Sequence, residues 1–465
     1  MKKRLPTNWV LAGLFCVHTS WLFQPANSQT LAEALASAYS TNPGLLSQRA
    51  DLKSVDEGVP VALGNWRPNV ELSGDIEREF NRNNTRLTEG EKDQIRSARN
   101  VQLLVTQPLF RGFRTVAEVN QAENNVLSKR AALIGAEQDL LLNAATKFLT
   151  VMENQAVLDL NVRNEEVLRR QLEATVDRFR VGEITRTDVS QAEARLAGTT
   201  AARLKSQGDL KISKAGYVNV IGEVPGKLIT PKALSDLPKN LEEAKELAGK
   251  EHPDIISANL TSRTAQENVK VKRGELYPTL NMVGTLKRDW ESINNDSQVS
   301  SGEVRLDLTV PLYQKGTVIS GLRKAKIDAG KSKIDFENTR RTVLENVENA
   351  WESLKSAGAQ IKSFKAQILA AEIALEGVQR EASVGSRTVL DVLDAEQELL
   401  DARVSLVGAQ RDEVVASFQL KEATGQLTAK NLELPVTLFD PTSYYNRVRD
   451  KIFDTKSLNL INLDK

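Results

Sequence analysis

Two stretches of this chain carry carboxylates at a repeated spacing. In residues 178–196, RFRVGEITRTDVSQAEARL, Thr185 stands three places before Asp188. In residues 381–399, EASVGSRTVLDVLDAEQEL, Thr388 stands three places before Asp391, and Asp394 follows three later. Threonine and a carboxylate at that spacing come close to a capping box, with Asp in place of Glu. Asp391 and Asp394 share one face in the first turn of a helix. Such a face attracts cations, or simply complements the helix dipole; it does not make bonds. No base or nucleophile accompanies it. His252 precedes Pro253 at a helix start and reads as a loop residue rather than a ligand or base. No phosphate-binding glycine loop or nucleophile elbow occurs, so neither an enzyme nor a cofactor is expected.

The elements holding these residues read as the tips of helical hairpins. Val181 and Gly182 in one, and Val384 and Gly385 in the other, follow long helical patterns, where a left-handed glycine ends a helix without steric cost. The two stretches superpose at an offset of 203 (385 minus 182), which matches Thr185, Asp188, Ala192, Glu193 and Leu196 with Thr388, Asp391, Ala395, Glu396 and Leu399. The chain therefore reads as an internal two-fold repeat.

Composition suits long helices with narrow apolar seams: 26% of the 465 residues are charged and 5% aromatic. Lys2, Lys3 and Arg4 precede an apolar run and a small-residue site at Ala26-Asn27-Ser28, so residues 1–28 read as a secretory signal peptide. Its removal takes three positive charges and no acid, moving the formal net charge from +1 to −2, and it takes the sole cysteine, Cys16. A near-neutral chain is poorly suited to nucleic acid. With one histidine and no cysteine left, the usual zinc donor sets are excluded. No later stretch approaches the ~20 apolar residues of a spanning helix, so any membrane-spanning part must be strands.

Taken in order, residues 29–240 form the first repeat, 241–434 the second and 435–465 a tail without a counterpart. Each repeat opens with an amphipathic helix that breaks at Asn42-Pro43 or His252-Pro253 and closes before Pro68 or Pro278. The apolar period then changes from 3.6 to 2. Val70, Leu72 and Ile76 alternate with Glu71, Ser73 and Asp75, and Val304, Leu306 and Leu308 alternate with Glu303, Arg305 and Asp307. Four strands are expected, near 69–80, 98–107, 279–290 and 302–311. Phe80, Trp290, Phe110 and Tyr313 mark their ends, as the aromatic girdles of an outer-membrane barrel require. Beyond them the helical period returns and runs to tips at about 181–187 and 384–390.

Four strands cannot close a membrane barrel, whose backbone groups must all be paired. Closure requires several chains, and a trimer of twelve strands is the smallest ring with a water-filled bore, since eight strands are filled by their own side chains. The fold expected is an α+β membrane protein with strands at one end and long hairpins at the other.

The duplicated unit and the tip VGSRTVLDVLDAEQELLDAR resemble the TolC family of trimeric outer-membrane channel-tunnel proteins, over residues 30–434. That resemblance implies a 12-stranded β-barrel in the outer membrane of a Gram-negative cell and a periplasmic α-barrel closed by its hairpins. It implies an exit duct for drug efflux or type I protein secretion. The partners implied are a periplasmic adaptor docking on the tips at Val181, Gly182, Val384 and Gly385, and an inner-membrane transporter, an ABC ATPase or a proton-driven pump. The family's tip lock falls on Asp188 and Arg387, with Thr187 in support, while the position of its aromatic hydroxyl is Ala382. Its acidic entrance rings fall on Asp391 and Asp394. Two other classes remain open: a periplasmic adaptor, which would lack the duplicated alternating strands with end aromatics, and a structural coiled-coil scaffold, which would give no ion current.

Overall fold

The structure, a computed structural model, describes residues 28–82, 93–293 and 296–452. The leader up to Asn27, and most of the polar linker 81–95, lie outside the described residues.

The chain opens with strand β1 (Ser28–Gln29) and helices α1 (Leu31–Thr41), α2 (Pro43–Asp56) and α3 (Gly58–Gly64). Thr30 and Glu33 form a capping box on α1. Asn42 caps α2 by accepting from the amides of Gly44 and Leu45, while Pro43 supplies a first-turn φ at no loss of a donor. Strands β2 (Asn69–Arg82) and β3 (Asp93–Arg111) follow, then helices α4 (Arg114–Arg180) and α5 (Arg186–Ile221). Strand β4 (Lys227–Leu228) pairs parallel with β1. The order then recurs: α6 (Leu241–Glu251), α7 (Pro253–Gly274), β5 (Thr279–Trp290), β6 (Gln298–Thr309), α8 (Thr317–Ser383) and α9 (Val389–Ala423), with α10 (Ser443–Val448) in the tail.

The four long strands form one antiparallel sheet in the order β2-β3-β5-β6. Its register lines up the alternating apolar residues: Leu72 faces Leu103, Leu103 faces Leu286, and Met282 faces Leu306. They make one continuous apolar face, and it is uncovered, with Leu72 72%, Ile76 80% and Val304 76% exposed. Asp75 and Asn100, paired in register on the opposite face, are hydrogen-bonded. The edges, β2 and β6, have no strand neighbour among the described residues. Strand β3 runs past Pro108, further than its alternation alone indicates, because the register shifts between Pro108 and Phe110 and absorbs the missing amide donor.

Strand turns into helix at two elbows of the same backbone form. Gly112 and Phe113 are both left-handed before α4, as are Lys315 and Gly316 before α8. At the first elbow a Cβ on Gly112 would stand 2.4 Å from the carbonyl oxygen of Gly274, so the start of α4 and the end of α7 meet backbone to backbone.

Helices α4 and α8 are 67 residues each, about 100 Å at 1.5 Å per residue. Rods of that length are held by packing rather than propensity. The main core gathers Leu35, Tyr39 and Leu52 against Leu141, Phe148, Tyr217 and Phe418. A second cluster packs Ala244, Ala248 and Ile255 on Val343, Val347 and Leu420. Toward the tips the packing thins to small clusters, Leu168 with Ala192, Val389 and Leu393 in one, and Leu375 with Leu399 in another. Among the described residues no helix is long and apolar enough to cross a membrane.

Candidate functional site: the hairpin tips and the strand sheet

At both tips the helix ends on a valine and turns through a left-handed glycine, Gly182 at φ 82° and Gly385 at φ 80°. Val181 and Val384 are 79% and 78% exposed. The returning helices start on full capping boxes. Asp188 accepts from the Thr185 amide at 2.9 Å and hydroxyl at 2.8 Å, while its own amide donates to Thr185 Oγ1 at 3.4 Å. Asp391 accepts from the Thr388 amide and hydroxyl, both at 2.8 Å. Those two bonds, amide first, with the Arg387 guanidinium adding to them, hold the Asp391 carboxyl below the usual aspartate range.

Each turn is strapped by one ion pair. In the first, Arg178 donates to Glu183 Oε1 from Nε at 3.0 Å and Nη2 at 2.5 Å. In the second, Arg387 Nε donates to Glu381 Oε2 at 2.9 Å. Arg387 and Asp188 are therefore not paired with each other within the chain; each has a partner in its own hairpin. Thr187 is exposed, and Ala382 is buried. Asp394 is exposed but not solitary, since it pairs with Arg195 and so joins α9 to α5. That link was out of reach of local spacing, because its partners lie 199 residues apart. Deeper in the first hairpin Glu165 accepts from Thr200 at 2.9 Å and pairs with Arg203 at 2.5 Å, tying α4 to α5.

At the base of the second hairpin the packing is close. A Cβ on Gly425, at φ +81°, would lie 2.8 Å from His252 Cα, and Gln138 Nε2 donates to the Gly425 carbonyl at 2.6 Å. His252 is a buried helix cap, not a loop residue: its Nδ1 accepts from the Asp254 amide at 3.2 Å, and burial lowers its pKa. Glu422 is pushed up to about 7 by burial first, then by the carboxylates of Asp139 and Asp254. Among the described residues no cluster of His, Cys, Asp and Glu could hold a metal ion.

On the sheet, Phe80 and Trp290 stand at the end away from the helices, Phe80 67% exposed and Trp290 beneath the Arg288 guanidinium. Phe110 lies at the helix end, edge-on to Phe113 at 5.1 Å. Tyr313, expected at a strand end, lies four residues beyond β6 in the stretch leading to α8 and is 79% exposed.

Comparison with known proteins places these features. The model of the outer membrane efflux protein family matches residues 34–223 and again 245–426. The chain is 33% identical to the outer membrane efflux protein BepC of Brucella suis biovar 1, across 96% of each chain. It is 25% identical to the outer membrane protein TolC of Escherichia coli, across 93% of this chain and 88% of that one. In structure it is similar to the CmeC outer membrane channel of Campylobacter jejuni, with a TM-score of 0.77 at 14% identity, covering 93% and 97% of the two chains.

Proposed function

The chain belongs to the outer membrane efflux protein family, and on that premise we propose that it works as a homotrimeric exit duct, each copy giving four strands to a 12-stranded barrel. Its place is the outer membrane of a Gram-negative cell, and its role is export rather than catalysis. The observation that carries the trimer is the open sheet. Its apolar face is uncovered and both edge strands are unpaired among the described residues, whereas in hydrocarbon every strand must be paired. Edge β2 of one copy meeting edge β6 of the next closes the ring, with aromatic girdles formed by Phe80 and Trp290 at one rim and Phe110 and Tyr313 at the other. The internal repeat is supported by the two successive matches to one family model.

Cargo enters at the tips from an inner-membrane transporter through a periplasmic adaptor, which docks on the exposed turns at Val181, Gly182, Val384 and Gly385. The second tip favours type I protein secretion beside multidrug efflux as the cargo class. In the closed trimer Arg387 and Asp188, with Thr187, lock neighbouring hairpins, and opening is an outward uncoiling biased by partners that prefer the open tip. Asp391 and Asp394 ring the entrance and select cations.

The test is planar-bilayer conductance of the purified protein, together with heat-modifiable migration as a trimer. A discrete, cation-selective current from the trimer band is expected. A monomer that folds and stays impermeable removes the reading.

A further inference from the structure

The strand sheet divides its charges between its two faces. Side chains paired in register stand on one side, so Leu72 and Ile76 of β2 share the apolar face with Leu103 of β3, Leu286 of β5 and Val304 of β6. Along that face, through residues 70–80, 95–107, 280–290 and 298–308, the charged side chains are Arg78, Arg99 and Arg288, all cationic. The acids of the same stretches, among them Asp75, Glu79 and Asp289, stand on the other face. There Arg96 pairs with Glu79 at 2.6 Å and Lys287 with Asp289 at 2.8 Å.

The three arginines form one row. Arg78 lies opposite Ser97, two residues from Arg99, and Arg99 lies opposite Trp290, two residues from Arg288. They are successive diagonal neighbours on three adjacent strands, about 7–8 Å apart at the backbone, close enough for their guanidinium groups to bracket one ligand. All three are exposed. Arg99 is balanced by Glu291 at 2.9 Å. Arg288 lies over the Trp290 ring at 5.2 Å, and neither it nor Arg78 has an acidic partner among the described residues.

The level of the row on the sheet indicates what it meets. Toward the helices the face continues with Val101, Leu72 and Leu286, and beside the row stand Phe80 and Trp290. An arginine facing hydrocarbon is costly at the bilayer midplane and nearly neutral at its surface. The row therefore suits the level where tails give way to headgroups, and it lies at the strand end away from the helices, the outer rim. Guanidinium forks match phosphate oxygens two at a time, whereas a headgroup without net charge leaves Arg78 and Arg288 unbalanced.

We propose that Arg78, Arg99 and Arg288 hold the headgroup of an outer-leaflet lipid carrying two phosphates, one lipid on each chain, with its tails against Ile76, Val101 and Leu286. The site rests on the barrel reading given above.

The test is native mass spectrometry of the trimer in detergent with lipid A bearing both phosphates, with its monophosphoryl form and with phosphatidylethanolamine. The doubly phosphorylated lipid should be retained at up to one per chain, about fivefold more strongly than the monophosphoryl form, and inorganic pyrophosphate should not displace it. Arg78→Gln and Arg288→Gln should each weaken retention about fivefold, while Arg305→Gln, on the other face, leaves it unchanged. Should a glutamine variant fail to assemble, Arg78→Lys or Arg288→Lys decides, with about a twofold loss expected where charge stays and the planar fork goes. Equal retention of the three lipids, displacement by pyrophosphate, or undiminished retention in assembled variants overturns the site while trimer migration and conductance keep the duct. A parent chain without trimer or current removes the duct, and the site with it.

Discussion

The two hairpin tips share one scaffold and reverse its charges. Both end a 67-residue helix on valine and a left-handed glycine, and both restart on a threonine–aspartate capping box. Yet the strap runs oppositely. In the first tip the base stands on the rising helix and the acid in the turn, Arg178 to Glu183. In the second the acid stands on the rising helix and the base in the turn, Arg387 to Glu381. Arg178 and Glu381 occupy matched places (381 minus 203 is 178). The capping box therefore sets the shape of either turn, and the strap sets which charge the turn presents. Arg387 places a cation in the second turn and Glu183 an anion in the first.

The largest effect should come where the tips differ most in acid content. Replacing Asp391 and Asp394 with asparagine should bring the reversal potential in a salt gradient down by about half or more, while Asp188→Asn should leave it in place. Equal effects would break the asymmetry. Next, Arg387→Ala should raise single-channel conductance several-fold, roughly as far as a lost lock lets one hairpin move, and Arg178→Ala should change it little; if Arg178 behaves alike, the lock does not reside in the second strap.

A third test uses the hairpin bases. Glu422 corresponds to Asn219 in the first repeat (422 minus 203 is 219). Half-buried, with the carboxylates of Asp139 and Asp254 nearby, Glu422 keeps its proton up to about 7, against an ordinary value of 4.5. Between those pH values the folded chain binds more protons than the unfolded one, so this group's contribution to stability falls as pH rises through that window and is level on either side. Glu422→Gln should flatten melting temperature against pH between about 5 and 7; an unchanged slope would assign it elsewhere. The smallest effect concerns what the tips share. Thr185→Ala and Thr388→Ala should each cost about 1 kcal/mol, read as equal losses of amide protection in the first turns of α5 and α9. Unequal losses would mean that the caps, too, have diverged.

Much of this was legible in the sequence because it is local. The change of period at Val70 and Leu280 marks antiparallel strands, and a threonine three residues before an aspartate marks a helix start. What was hidden depends on approach in space. Asp394 was legible as an acid on a helix face, but its partner Arg195 belongs to the other hairpin. Arg387 lies six residues from Glu381, yet their pairing depends on how the turn folds. His252 precedes proline like Asn42, which signals a cap; its burial comes from Gly425, a distant glycine whose missing side chain leaves the room. The extension of β3 past Pro108 rests on a register shift that alternation does not announce.

The touching glycines at the first elbow carry a mechanical consequence. Where Gly112 and Gly274 press carbonyl against α-carbon, neither backbone can slide past the other without a clash. A side chain at either position would push the start of α4 off the end of α7, so this joint between strand and helix holds only while both residues stay bare.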